Sequence, residues 1–233
     1  MAKSKIIKEL ANGETDTITA LKRAKVLLME FDNPQVSEWI NYEIIGYPAD
    51  AELPDYRQTR GNLMGSYFRG TMVSYMTCKN VSIPLGKMPD DLQEKLLTVV
   101  FRDGVEALRK LAQDVSEENG QLGKTISADF FPAIANYNDD PCMIITSARV
   151  VVGSQLLNNI FSVIENKLLD VLVLLEKEFG CLDDLDLDMS TKTEEEINSL
   201  NERLVVLIYN DNSVTIGNEN KIKGSTIASS VEE

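Results

Sequence analysis

The feature that most constrains this chain is an apolar stripe. Leu157, Ile160, Phe161, Ile164, Leu168, Val171, Leu172, Leu175 and Phe179 recur at spacings of three and four. At 3.6 residues per turn they share one face, which predicts a long helix from about Ser147 to Phe179 with Gly180 as its stop. Such a stripe must be covered by other helices. Its polar interruptions, among them Asn158, Asn159, Glu165, Lys167 and Asp170, deny it the unbroken run of roughly 20 apolar residues that a membrane span needs.

Helices that could cover it precede it. Thr15 to Phe31 carries Ile18, Leu21, Ala24, Val26, Leu27 and Leu28 at helical spacing. Asn33-Pro34 breaks that run, because the residue before a proline disfavours the helical region. A second helix is expected from Gln35 to Ile45, with Trp39, Ile40, Tyr42 and Ile45 on its apolar side and Gly46 as its terminator. Residues 47–86 change character: prolines, glycines and the run Thr71 to Cys78 predict a small β insertion. Helices are expected again over Asp90 to Phe101 and Asp103 to Val115. The reading is an α+β, mainly α chain: a helical domain over 1–182, an acidic hinge over 183–200, and a β-forming segment over 201–233. Within the last two, a short helix over Thr193 to Asn201 and a strand-like Arg203 to Tyr209 are expected.

Composition narrows the chemistry. The 233 residues include no histidine, which excludes Ser-His-Asp, Cys-His and His-metal mechanisms. With 23 Lys and Arg against 37 Asp and Glu, the net charge of -14 argues against a whole-surface nucleic-acid binder. Cys78, Cys142 and Cys181 are widely spaced and odd in number, so reduced thiols in a cytoplasmic protein are expected. Met1 to Leu10 lacks the apolar core of a signal peptide.

Four local patterns touch on function. Gly120-Gln-Leu-Gly123-Lys124-Thr125 is similar to a phosphate loop, but Glu118 stands where the first glycine belongs and would repel phosphate. Asp184, Asp186, Asp188, Ser190, Lys192 and Glu195 fall at calcium-loop offsets, yet Met189 occupies the glycine position, so a solvated acidic hinge is the better reading. Asp139-Asp140 reads as a turn. Arg57, Arg60 and Arg69 lie among tyrosines and glycines; they suit structural ion pairs, or contact with an anion or partner. No catalytic set, metal site or cofactor is expected.

The C-terminal segment is the most specific local feature. Val214, Ile216, Ile222 and Ile227 alternate with Gly217, Asn218, Asn220 and Gly224, and the charges of Asp211, Glu219, Lys221 and Lys223 cancel. High β propensity, low net charge and no proline mark segments that pair with copies of themselves. Self-association through Val214, Ile216, Gly217, Asn218, Asn220, Ile222 and Ile227 is one reading; a polar tail is the other.

Several motifs together resemble the AbiTii-type domain of bacterial abortive-infection phage defence. They are Leu21 to Leu27, Glu38-Trp39 through Glu43 to Gly46-Tyr47-Pro48, Leu53-Pro54-Asp55-Tyr56-Arg57, Ile83-Pro84-Leu85, Phe101 to Leu108, and Asn159 to Asp170 leading to Glu178. The resemblance spans about residues 3–180 and is most specific at Trp39–Tyr47 and Leu53–Arg57. It implies a role in phage defence and brings no established active site. The ending is similar to bacterial amyloid-signalling motifs, and Val214-Thr-Ile216-Gly217 to the homotypic-interaction motif of necroptosis adaptors, with Thr215 where that motif has glutamine. The expectation is an interaction or assembly protein that forms homo-oligomers, such as filaments, through its C-terminal segment and that meets a protein partner or phage trigger. The alternative is a toxin or effector enzyme such as a metal-dependent nuclease.

Overall fold

Ser4, buried and 1% exposed, begins the packed chain in the computed structural model, which describes residues 3–71, 73–117, 121–140 and 142–209. The fold is mainly helical α+β. Its axis is the 25-residue helix α7 (Gln155–Phe179). The stripe reads true: Leu157, Ile160, Ile164, Leu168, Val171, Leu172 and Leu175 are fully buried. Helices α1 (Lys5–Ala11), α2 (Thr17–Leu28), α5 (Val105–Glu117) and α8 (Glu194–Tyr209) pack on it. Helix α3 (Pro34–Ile45) packs against α2, α5 and α8.

Local chemistry sets these boundaries. Asp16 caps α2, accepting from the Thr19 N–H at 2.9 Å. Asn33 caps α3, accepting from Gln35 and Val36, with Pro34 in the first turn. Gly46 ends α3 at φ 107°, where a Cβ would come within 2.8 Å of the Arg102 carbonyl oxygen. Two expected core positions are instead outward: Ile45 is 76% exposed and Val26 46% exposed.

The expected β insertion is present and larger than expected. Strands β2 (Asn62–Thr71), β3 (Ser74–Ser82), β5 (Leu122–Thr125) and β6 (Ile144–Val152) form an antiparallel sheet in the order β3-β2-β6-β5. Strands β1 (Gln58–Arg60) and β4 (Thr98–Val100) form a second, two-stranded pair. Helix α6 (Phe131–Tyr137) packs on β6, and α4 (Asp90–Leu97) leads directly into β4.

Three boundaries correct the sequence reading. Ser147 to Val152, assigned to the long helix, belong to β6, where alternate residues Ala148, Val150 and Val152 are buried in strand period. The helix expected over Asp90 to Phe101 stops at Leu97, because Thr98 to Val100 pair with β1. Arg203 to Tyr209, expected as a strand, is the second half of α8. Leu200, Leu204 and Ile208, at spacings of four, are buried, while Val206 on the other face is half exposed. The start of the acidic stretch lies on the body, with Leu182 and Leu187 in the core. The Leu182 N–H donates to Ser4 Oγ, and Lys192 and Arg203 both pair with Glu178 on α7. Residues 210–233, with Val214, Ile216, Gly217, Asn218, Asn220, Ile222 and Ile227, lie outside the described residues.

Candidate functional site

The two motifs that carried the most specific resemblance meet in space. Helix α3 contributes Trp39 and Glu43, and its exit contributes Tyr47. A 3₁₀ turn over Asp55–Arg57 contributes Tyr56 and Arg57. Glu43 and Arg57 are both fully buried and form an ion pair through Glu43 Oε2 and Arg57 Nη2. The other carboxylate oxygen accepts from the Tyr47 and Tyr56 hydroxyls at 2.5 and 2.6 Å. Trp39 Nε1 donates to the Tyr56 hydroxyl oxygen at 3.1 Å, extending the network.

The guanidinium also braces a third segment. Arg57 Nη1 donates to the carbonyl oxygens of Phe101 at 3.3 Å and Asp103 at 2.6 Å, in the turn after β4. Its plane lies over the Tyr47 ring, 5.2 Å from the centroid. Among the described residues, Arg57 Nε is a buried side-chain nitrogen with no hydrogen-bond partner. Burial, reinforced by the Glu43 carboxylate, raises both the Tyr47 and the Tyr56 phenol far above the ordinary tyrosine value. Both hydroxyls therefore remain donors across the physiological range. A buried charge pair of this kind is costly unless its remaining hydrogen-bonding capacity is met, and the two phenols and two carbonyls meet all of it but Arg57 Nε.

This centre forms one wall of a cleft of about 660 Å³ between α3, residues 51–56 and the end of α8. Trp39, Tyr42, Tyr47 and Tyr56 line it, with Glu38, Glu52 and Asp55 among the more exposed residues and Tyr209 at the α8 side. Lys167 of α7 reaches the floor, donating from Nζ to the Ile208 carbonyl at 2.8 Å. Burial, then Glu38 and Tyr42, raise the Tyr209 phenol. Its hydroxyl donates to the Gln35 carbonyl at 2.9 Å and ties α8 to α3.

The three arginines singled out from sequence do not converge on one anion. Arg57 is the buried partner of Glu43. Arg60, on β1, lies 3.8 Å from Glu94 of α4. Arg69, near the end of β2, pairs with Asp140 at 2.6 Å. Leu122–Thr125 of the phosphate-loop-like segment is strand β5, and Lys124 donates to the Thr98 carbonyl at 2.6 Å and pins the α4–β4 junction. Asp188 of the calcium-loop pattern accepts from the Ser190 N–H in a local turn. Asp139 pairs with Lys87. The three cysteines are unpaired. Among the described residues no three His, Cys, Asp or Glu side chains are grouped to hold a metal ion. None of the described helices is long and apolar enough to cross a membrane.

The sequence placed Trp39 on the apolar side of its helix, where it is buried, but Glu43, Tyr47 and Tyr56 entered only as motif letters without a role. The one available signal for Lys167 was a lysine inside the apolar stripe, and it is 8% exposed.

Fold and centre together define a mainly helical α+β protein whose body is clamped by a buried carboxylate–guanidinium pair beside an aromatic cleft. The chain belongs to the AbiTii family, which it matches over residues 4–201. The match reaches beyond the resemblance at 180 and takes in the acidic stretch and the first half of α8. Membership carries the association with abortive-infection defence that the resemblance implied. No curated protein and no solved structure matches the chain.

Proposed function

We propose that the protein is an interaction and assembly component of bacterial abortive-infection defence, in which the helical body receives a partner or infection signal and the C-terminal segment joins copies. Family membership supports the setting. The observation that carries the assembly role is the composition of Val214 to Ile227: branched apolar residues between Gly, Asn and Ser corners, no proline, and low net charge. Val214 to Ile227 lie outside the family match. In this reading Ile216, Ile222 and Ile227 form the apolar contacts between copies.

Light scattering after size-exclusion chromatography tests the reading. The wild-type chain is expected to be oligomeric, and Ile216→Asp is expected to be monomeric and to lose protection of cells against phage. A monomeric wild type at high concentration, together with full protection by Ile216→Asp, overturns it.

A further inference from the structure

The protein segregates its charge. It carries 37 Asp and Glu, yet none falls between Tyr56 and Pro89 or between Cys142 and Ile164. Strands β2, β3 and β6 come from those stretches, and with β5 they supply Arg69, Lys79, Lys124 and Arg149 without one carboxylate. Low β propensity explains part of that depletion. It does not explain which side of the sheet the cations take, and register decides that. Leu63, Ile145, Ala148 and Val150 are buried and define the inner face. On the outer face Met64 pairs with Arg149, Ser66 with Ser147, Phe68 with Thr77 and Ile144, and Gly70 with Tyr75, since residues directly opposite share a side. All of these positions are exposed or half-buried. Lys124, paired with the buried Val150, is tied to the Thr98 carbonyl, and Arg69 is tied to Asp140. The outer face therefore keeps Arg149, with Lys79 exposed in the bulge beside Ser66.

Three kinds of group follow one another along this face. Arg149 Nη2 donates to Asn80 Oδ1 at 3.3 Å and to Gln121 Oε1 at 2.9 Å. These two neutral amides hold the guanidinium in place without neutralising it. Toward one end, the Phe68 and Tyr75 rings meet edge to face with centroids 5.6 Å apart. Tyr75 is 61% exposed and Ile144, beside Phe68, is 62% exposed. Toward the other end, a cavity of about 390 Å³ is lined by the side-chain amides of Asn62, Gln121 and Gln155, with Met64 bordering it next to Arg149. From Asn62 to Gly70 the β2 backbone spans about 26 Å. Amides, cations and rings are thus strung along one carboxylate-free strand surface.

We infer that the outer face of the four-stranded sheet binds single-stranded nucleic acid. Lys79 and Arg149 meet backbone phosphates, Tyr75 stacks on a base, and the amides around the cavity reach base edges. Charge complementarity confines a polyanion to this face, because the chain as a whole carries -14. Rings on an open sheet select single strands, since a duplex buries the faces of its bases in its own stack. An acidic peptide would use the cations alone and leave the rings and amides without a role. Binding here goes beyond the assembly reading and does not depend on it, as no residue of Val214 to Ile227 takes part.

The test is fluorescence anisotropy on the full chain at low salt, with labelled pyrimidine RNA and DNA strands of about 12 nucleotides and a duplex of the same length. The wild type is expected to bind a single strand more tightly than the duplex, and the tighter of the RNA and DNA arms identifies the source of the strand. Lys79→Gln and Arg149→Gln should each weaken binding severalfold and flatten the log–log salt dependence by about 0.7 per cation removed. Tyr75→Ala should weaken binding about fivefold or more while leaving the salt slope unchanged, which a charge contact alone would not do. Lys22→Ala, an exposed cation on α2, should bind as the wild type does. No binding by the wild type, duplex bound as tightly as single strand, or face variants indistinguishable from wild type overturns the inference. Loss on removing the cations with no effect of Tyr75→Ala, and displacement by polyglutamate, assigns the face to an acidic protein partner and overturns it as well. Undiminished binding by Ile216→Asp, whatever its oligomeric state, supports the inference and separates it from the assembly reading.

Discussion

Two arginines with the same sequence credentials end in opposite environments. Arg57 and Glu43 are fully buried, and both tyrosine hydroxyls and two backbone carbonyls hydrogen-bond to them. Arg69 and Asp140 also form a short pair, at 2.6 Å, but the arginine is 61% exposed near the open end of β2. The lesson is that distance does not set the worth of an ion pair; burial does. At the surface, water competes for both charges and the pair adds little. In the interior, each charge depends on the other, because neither can return to water without unfolding the site.

Removing one member of the buried pair should produce the largest effect. Arg57→Ala strands the Glu43 carboxylate and is expected to cost about 3–5 kcal/mol of stability, read from urea unfolding. A midpoint unchanged from wild type would break the comparison. Truncating the core of α8 comes next. Leu204, fully buried, is expected to cost about 2–5 kcal/mol as Leu204→Ala, an effect that a solvent-facing strand would not show.

Glu176 sharpens the contrast as an intermediate case. Its side chain is 10% exposed and lies 2.7 Å from Lys3. Burial opposes its ionisation, but hydrogen bonds from Lys3 and Ser4 outweigh that and hold its carboxyl down to about 2. The folded value is lower than the unfolded one, so this stabilisation is present above the ordinary carboxylate value of 4.5 and is lost as pH falls toward 2. Glu176→Gln is expected to lose about 1.5–3 kcal/mol near neutral pH, and the difference from wild type should shrink in acid. A difference that stays constant from pH 7 to pH 2 would contradict the assignment. Arg69→Ala should be the smallest change, within about 1 kcal/mol and weaker still at high salt.

The parts of the fold that sequence made legible are those where one periodicity had no competitor. The α7 stripe has many positions at helical spacing, and its fully buried core positions matched. Asn33, Pro34 and Gly46 mark their boundaries through local chemistry that no distant residue alters. Legibility failed where short β-branched runs admit two states. Val150 to Val152 and Leu204 to Ile208 look alike by composition, yet one pairs with β2 and β5 and the other packs as a helix on α7. A strand needs partners whose hydrogen bonds come from elsewhere in the chain, and their presence for β6 and absence for α8 is a tertiary fact.

The candidate site follows the same division. The chain by itself determined the helical body, its stops, the missing histidine and the excess of negative charge, since these depend on residue identity and local spacing. It also placed Glu43 and Arg57 in two separate motifs, with nothing local to pair the one with the other. Only the tertiary structure decided that they are buried against each other, that Tyr47 and Tyr56 share one carboxylate oxygen, and that Lys167 reaches the floor of the cleft. The physical reason is that burial is a property of the assembled packing: a charge enters the core only when a partner distant in sequence arrives with it.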